Sequence, residues 1–390
     1  MSFVELLQGL CLVPVVGGSI FSLLCVPAAA RFCRQRPVTD GAAFPGGVWP
    51  PVTVLKPVYG LEKGLKDNLR TSCTQDYPDY QVVFSAQRPD DPAIPLLHEL
   101  QKEFGPDRVT VVVQNIQAGM NGKVNNLLGA MTAAKHDILV ISDSDIVLRP
   151  DYLKAIVAPL ADPAVGCVNT LFKAARGDRW YERLELLSMN ADFMPSVVFA
   201  YMTGTSNFCL GPSIALRRST LQAIGGFESL AEYLVEDYEI GRRIWESGKR
   251  MAIVPYFVEA VVDLKSVSHW WGHQVYWDQN TRAARPGGFF ATVLTRAVPF
   301  ALLVALLRGL DPVGLGILAA AAALRIAAAA PVLAAFRDRE GLASLWLLPA
   351  RDVLGLVSWA LAFTQRTVVW RGAEFVLTRN GRLVPKEARG

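Results

Sequence analysis

At 390 residues the chain is longer than one ordinary domain, and with 52% hydrophobic and only 19% charged residues it is too oily for a purely soluble one. Lysine plus arginine (39) nearly balances aspartate plus glutamate (35), which excludes the electrostatic footprint of a nucleic-acid binder. Six scattered cysteines without a C-x-x-C, and four histidines without an H-E-x-x-H, offer neither a disulfide framework nor a zinc site and suit a reducing compartment.

In chain order, residues 3–30 carry one charge, Glu5, and run into Arg31, Arg34 and Arg36. The run is long enough to cross about 30 Å of hydrocarbon. A cleaved signal peptide would have basic residues ahead of it, and here there are none, so 1–36 is expected to be a transmembrane anchor. The arginines put the domain after the anchor on the cytoplasmic face, of the inner membrane if the protein is bacterial.

From 49 to 288 the texture is that of a globular domain. Short β-branched runs at 52–56, 81–85, 109–113 and 138–142 alternate with helix-spaced stretches at 61–74, 95–104 and 123–134. That order predicts an α/β fold with a doubly wound, mostly parallel sheet, and ligands of such sheets bind beyond the carboxyl ends of the strands. The apolar density returns at 289–390, in runs at 289–307, 310–336 and 342–363 broken by Arg296, Arg325 and Arg351, before a short polar tail. An arginine within a span is costly in lipid, so these runs are either spans or interfacial and re-entrant helices.

Three acidic clusters fall where the sheet rule points. Asp143-Ser144-Asp145 comes directly after the fourth strand, and two carboxylates so close can share Mg²⁺ or Mn²⁺, which take oxygen ligands and substrate phosphates; a plain surface turn is the alternative. Asp90-Asp91 comes after the second strand and would read ribose hydroxyls or cap the helix near Pro95. Lys123, between Gly122 and a helix start, suits a diphosphate or is simply solvated. Glu236-Asp237 opens an amphipathic helix, where the helix dipole alone favours acids.

Asp91, Asp143 and Asp237, with a tryptophan motif after them, resemble the D, D, D, (Q/R)-x-x-R-W signature of lipid-directed and processive inverting glycosyltransferases of GT-A fold. The chain is most similar to ceramide glucosyltransferases and the related hopanoid N-acetylglucosaminyltransferases. The likeness runs through Val54-Leu55-Lys56-Pro57, Gln75-Asp76-Tyr77-Pro78, Asp90-Asp91-Pro92, Lys123-Val124-Asn125-Asn126, Gly225-Gly226, Glu236-Asp237-Tyr238 and Arg285-Pro286-Gly287. It implies that Asp143 and Asp145 hold the metal, that Asp91 contacts the nucleoside and Lys123 the phosphates, and that Asp237 is the general base, with Glu236 orienting a neighbour. The chain departs from the signature at His273-Gln274-Val275-Tyr276-Trp277, which keeps the tryptophan but puts His and Tyr at the amide or basic positions. By resemblance His273 and Trp277 help hold the diphosphate and acceptor, and Arg282 or Arg285 supplies the missing positive charge.

The expected function is therefore transfer of a hexose from a nucleotide sugar, UDP-glucose first, to a hydroxyl of a membrane lipid such as ceramide. A hopanoid N-acetylglucosaminyltransferase and a processive polysaccharide synthase are the enzyme alternatives, and a transporter or scaffold the non-enzyme one. A polymer channel calls for a larger helix bundle, and a transporter would leave three strand-end acid clusters without purpose.

Overall fold

The computed structural model describes residues 2–39, 44–364, 367–370, 373–378 and 381–386, so the end of the polar tail lies outside the described residues. The chain forms two compact units. One comprises Arg36–Lys173, Asn207–Asp263 and Leu377–Gly390, the other Met1–Gln35, Ala174–Ser206 and Leu264–Val376.

The first unit is built on an eight-stranded sheet of β1 (Val52–Pro57), β2 (Tyr80–Ala86), β3 (Val109–Val113), β4 (Ile138–Ser142), β5 (Ile146–Val147), β6 (Val165–Ala174), β7 (Ser213–Arg217) and β8 (Arg250–Ala260). Their spatial order is β3-β2-β1-β4-β7-β6-β8-β5. The first four strands pair in parallel and β7 returns antiparallel to β4, so the expected mostly parallel sheet is present with an antiparallel extension. The cause is local: β1, β2 and β4 are buried along their whole length, as strands covered on both faces are, and their β-branched runs supply that apolar content. Leu55, Val83, Leu139 and Ile141 pack with Val124, Leu127, Ile240 and Ile244 from the helices Gly122–Met131 and Glu236–Glu246, which fixes both helices against one face of the sheet. The segment at 381–383 also belongs to this unit: Leu234 N–H donates to Gly381 O (3.0 Å) and Leu383 N–H to Glu232 O (2.9 Å).

The second unit is helical. Phe3–Arg34, Pro312–Ala335 and Leu345–Thr364 are each long and apolar enough to cross a membrane, and Pro286–Thr295 with Ala297–Leu307 makes a fourth candidate, bent by 58°. The bend falls at Arg296, whose backbone (φ −99°, ψ 74°) leaves the helix. Gly17 and Gly18 of the first helix let that break come close, since a Cβ on Gly18 would sit 2.6 Å from Thr295 O. Small residues serve close helix contacts of this kind in membranes. Between the helices Trp180–Leu187 and Met194–Met202, residues Ser188–Phe193 form a π-turn.

Candidate active site

At the carboxyl end of β4 the chain turns through Asp143-Ser144-Asp145. Beneath this turn lies Lys56, fully buried in β1, whose Nζ donates to Asp143 O (2.7 Å) and Ile146 O (3.3 Å). Desolvation pulls the Lys56 pKa down to about 8, with Asp145 and Asp143 opposing it. The parallel register brings Lys56 here: Leu55 pairs with Ile141, so the next residue of β1 lies beside the end of β4. Ser144 Oγ donates to Glu62 Oε2 (2.7 Å), adding a carboxylate from the loop after β1. Desolvation, then the carboxylates of Asp143 and Glu62, push Asp145 up to about 7.

Lys123 stands on the first turn of Gly122–Met131. That helix starts where it does because Asn121 caps it, its Oδ1 accepting from Lys123 N–H (2.9 Å) and Val124 N–H (3.0 Å). The Lys123 ammonium is held between Asp143 Oδ1 (2.7 Å) and Glu236 Oε1 (3.0 Å). Glu236 Oε2 accepts from Asn121 Nδ2 (3.1 Å), so one carboxylate ties the lysine and its helix cap to the helix Glu236–Glu246. Burial alone would lower the Lys123 pKa; the carboxylates of Asp143, Glu236 and Asp237 override it and hold Lys123 above the ordinary lysine value.

Asp237 is the next residue on that helix, and its Oδ1 accepts from Tyr238 N–H (2.8 Å). A Cβ on Gly211 would lie 2.9 Å from Asp237 Oδ2 and 3.4 Å from Lys123 Nζ, so the glycine makes room for both groups. Desolvation and then Glu236 push Asp237 up to about 7, against the pull of Lys123 and of backbone hydrogen bonds from Tyr238 and Gly211. Asp91 is buried apart from this cluster, its carboxylate accepting from Gly60 N–H (3.0 Å) and Ala93 N–H (2.9 Å), so it joins the loops after β1 and β2. Asp90 instead pairs with Arg88 at the surface.

The structure thus brings together Asp143, Asp145, Lys123, Glu236 and Asp237, and adds Lys56, Glu62 and Asn121, which sequence reasoning missed. A charged residue in an otherwise apolar strand was the available signal for Lys56. Among the described residues no three His, Cys, Asp or Glu side chains converge as a ready-made metal cage.

The remaining motif residues belong to the helical unit. Trp277 Nε1–H donates to His273 Nε2 (3.0 Å), so His273 carries its proton on Nδ1, which donates to Glu185 Oε1 (3.1 Å). The histidine that departs from the family signature is therefore an adaptor between the tryptophan and Glu185. Arg282 lies with its guanidinium 5.8 Å from the centroid of the Phe363 ring.

These features can be set beside known proteins. The chain is 29% identical over 215 residues to ceramide glucosyltransferase 1 of Caenorhabditis elegans, covering 54% of this chain and 45% of that one. It is 26% identical over 259 residues to an N-acetylglucosaminyltransferase of Mesorhizobium japonicum, covering 63% and 59%. It spans about half the length of the ceramide glucosyltransferases it matches in C. elegans. Among solved structures it is similar to the mannosyltransferase PcManGT of Pyrobaculum calidifontis, in complex with GDP-Man and Mn²⁺, with a TM-score of 0.51 at 24% identity over 91% of this chain and 99% of that one. The GT-A fold expected from the sequence and the resemblance to the ceramide glucosyltransferase group are both borne out. With a family match running from residue 15 to residue 383, the protein belongs to Glycosyl transferase family 21.

Proposed function

We propose that the chain is a membrane-bound inverting glycosyltransferase that moves a hexose, glucose first, from a UDP-sugar to a hydroxyl of a membrane lipid of the ceramide kind, with the sheet unit on the cytoplasmic face. The observation that most supports this is the acid-rich cluster at the ends of β1 and β4, where Lys123 is bound by Asp143 and Glu236 beside Asp237. Such a cluster suits a reaction that must hold a departing diphosphate and accept a proton.

Mg²⁺ or Mn²⁺ fits this donor set. Asp143 and Asp145 are hard oxygen ligands, Asp145 is raised by burial and then by the carboxylates of Asp143 and Glu62 against the pull of Lys56, and two carboxylates completed by phosphate oxygens and water suit these ions. When bound, such an ion neutralises charge growing on the departing diphosphate.

The protein groups do the rest. Lys56 pins the backbone of the metal-binding turn. Lys123, with two of its three donors engaged by carboxylates, has one left for a phosphate oxygen. Asp91 holds the Gly60 loop that would border the nucleoside. Asp237 takes the proton of the acceptor hydroxyl as its oxygen bonds to the anomeric carbon; the bond from that carbon to phosphate breaks, the diphosphate leaves with the electron pair, and the configuration inverts. Glu236 orients Lys123 and Asn121.

A GlcNAc donor is the second reading, favoured by the likeness to the Mesorhizobium japonicum N-acetylglucosaminyltransferase. Membranes carrying the protein, given radiolabelled UDP-glucose, UDP-galactose or UDP-N-acetylglucosamine, should yield one labelled lipid identifiable by mass spectrometry. Absence of label from every lipid with all three donors would overturn the proposal.

A further inference from the structure

The helical unit contains an open cavity of about 360 Å³. That is many times the roughly 10–15 Å³ that admits one water, and leaves room for a lipid head. Asp192, Trp277, Asp278, Phe289, Arg296 and Arg351 are among the residues lining it.

The charges around it sort into two groups. Arg325 pairs with Asp352 (2.9 Å) and Asp192 (3.5 Å), and Arg351 pairs with Asp192 (2.6 Å) and Asp352 (3.2 Å). Two cations and two anions thus close on one another and ask for nothing more. Glu185 is taken up by His273 (3.1 Å) and Gln274, which leaves Arg296 and Asp278. Both line the cavity, and no ion pair joins them. Asp278 Oδ2 accepts from Ser358 Oγ (2.6 Å), which leaves its other oxygen for a donor. Arg296 Nε is shielded from solvent without a hydrogen-bond partner among the described residues, the state in which a polar group is most costly unless a ligand completes it.

The backbone points the same way. Arg296 occupies the non-helical residue at the 58° break, and within membrane helices irregular backbone is tolerated where it is buried in protein or lines a polar cavity. One wall is aromatic: Phe193 lies edge-on to Trp277 at 5.9 Å, and Phe289, backed by Trp359 at 6.0 Å, continues it. The cavity therefore offers one fixed donor, one fixed acceptor and an apolar flank. Two arginines of its lining, Arg296 and Arg351, face two aspartates, Asp192 and Asp278, with Glu185 also on its lining, so an anionic head has no unbalanced positive field to enter.

Building on the glycosyltransferase reading, we propose that this cavity seats the polar head of an uncharged acceptor lipid, Arg296 donating to its carbonyl or hydroxyl oxygen and Asp278 accepting from its O–H or N–H. A hydroxy-amide or a polyol head has both features. A phosphate head has the wrong charge, and a hydrocarbon lipid has neither group.

The test uses the full chain in phosphatidylcholine nanodiscs with a photoactivatable ceramide. The crosslink should fall on the peptides around 188–200 or 274–296. Excess ceramide or a polyol hopanoid should compete it away, the better competitor identifying the head, and phosphatidic acid should not. Arg296→Gln and Asp278→Asn should each weaken labelling and raise the KM for lipid about tenfold or more, while the dissociation constant for UDP, which also reports folding, stays put. Arg296→Lys should recover part of the loss. Crosslinks elsewhere, competition by phosphatidic acid, or wild-type lipid dependence in both Arg296→Gln and Asp278→Asn would each overturn the assignment. If lipid is seated here but no UDP-sugar is consumed, the seat stands and the glycosyltransferase reading falls; transfer with crosslinks elsewhere does the reverse.

Discussion

Both units bury charge, but they balance it in opposite ways. In the sheet unit Asp143, Asp145, Glu62, Glu236 and Asp237 crowd around the ammonium groups of Lys56 and Lys123, so carboxylates outnumber cations. In the helical unit Arg325 and Arg351 share Asp192 and Asp352 one for one. An unbalanced cluster is completed by a cation or a proton, and Asp145 and Asp237, raised first by burial and then by neighbouring carboxylates, are the groups either would act on. A balanced cluster is framework. The excess of one sign, rather than burial of charge as such, marks the place prepared for chemistry.

The contrast can be broken most sharply at the proposed metal-binding turn. Activity should vanish in excess EDTA and return with Mg²⁺ or Mn²⁺, and Asp143→Ala should be inactive with either ion. Full turnover in EDTA would remove the metal from the scheme.

Next in size is the proposed base. Asp237→Asn should keep UDP-sugar binding by calorimetry and lose roughly 10²–10⁴-fold in turnover, the range for general-base help. Near-normal turnover in Asp237→Asn together with a dead Glu236→Gln would move the base to Glu236.

On the balanced side, Asp352→Asn leaves two buried arginines sharing one carboxylate. It should destabilise the protein by about 3–5 kcal/mol, as loss of one partner of a buried pair does, while UDP affinity is kept. Thermal unfolding in nanodiscs set against UDP calorimetry separates the two effects.

The smallest effect concerns pH. Asp237 must be ionised to accept a proton, and its pKa is about 7, so turnover should climb as pH rises through neutrality and fall about tenfold per unit below it. Lys123 pulls that pKa down, so Lys123→Met should shift the acid limb to higher pH and weaken UDP binding several-fold. An unmoved limb would separate Lys123 from the base.

The strands and the acidic turns were legible because each is a local pattern: a β-branched run ending in Asp143-Ser144-Asp145 announces both a buried strand and the acidic turn at its carboxyl end. Lys56 was not, since its role depends on β1 pairing with β4, a register that no local pattern carries. The same reason hides the arginines of the apolar runs. Read alone, Arg325 and Arg351 look like defects in a span. Asp192, which pairs with both, lies on a π-turn more than a hundred residues earlier, in a stretch without any motif. His273 reads as a departure from the signature until the Trp277 indole and Glu185 are found on its two nitrogens.

The ladder that joins residues 232–234 to 381–383 has a consequence in time. The loop leading into Asp237 shares hydrogen bonds with a segment made roughly 150 residues later, after all the candidate membrane helices have been synthesised. Contacts so distant along the chain form late in folding. A nascent protein therefore carries an unsecured loop ahead of the proposed base throughout synthesis of its helices, and the site is finished only once the helical unit has been made.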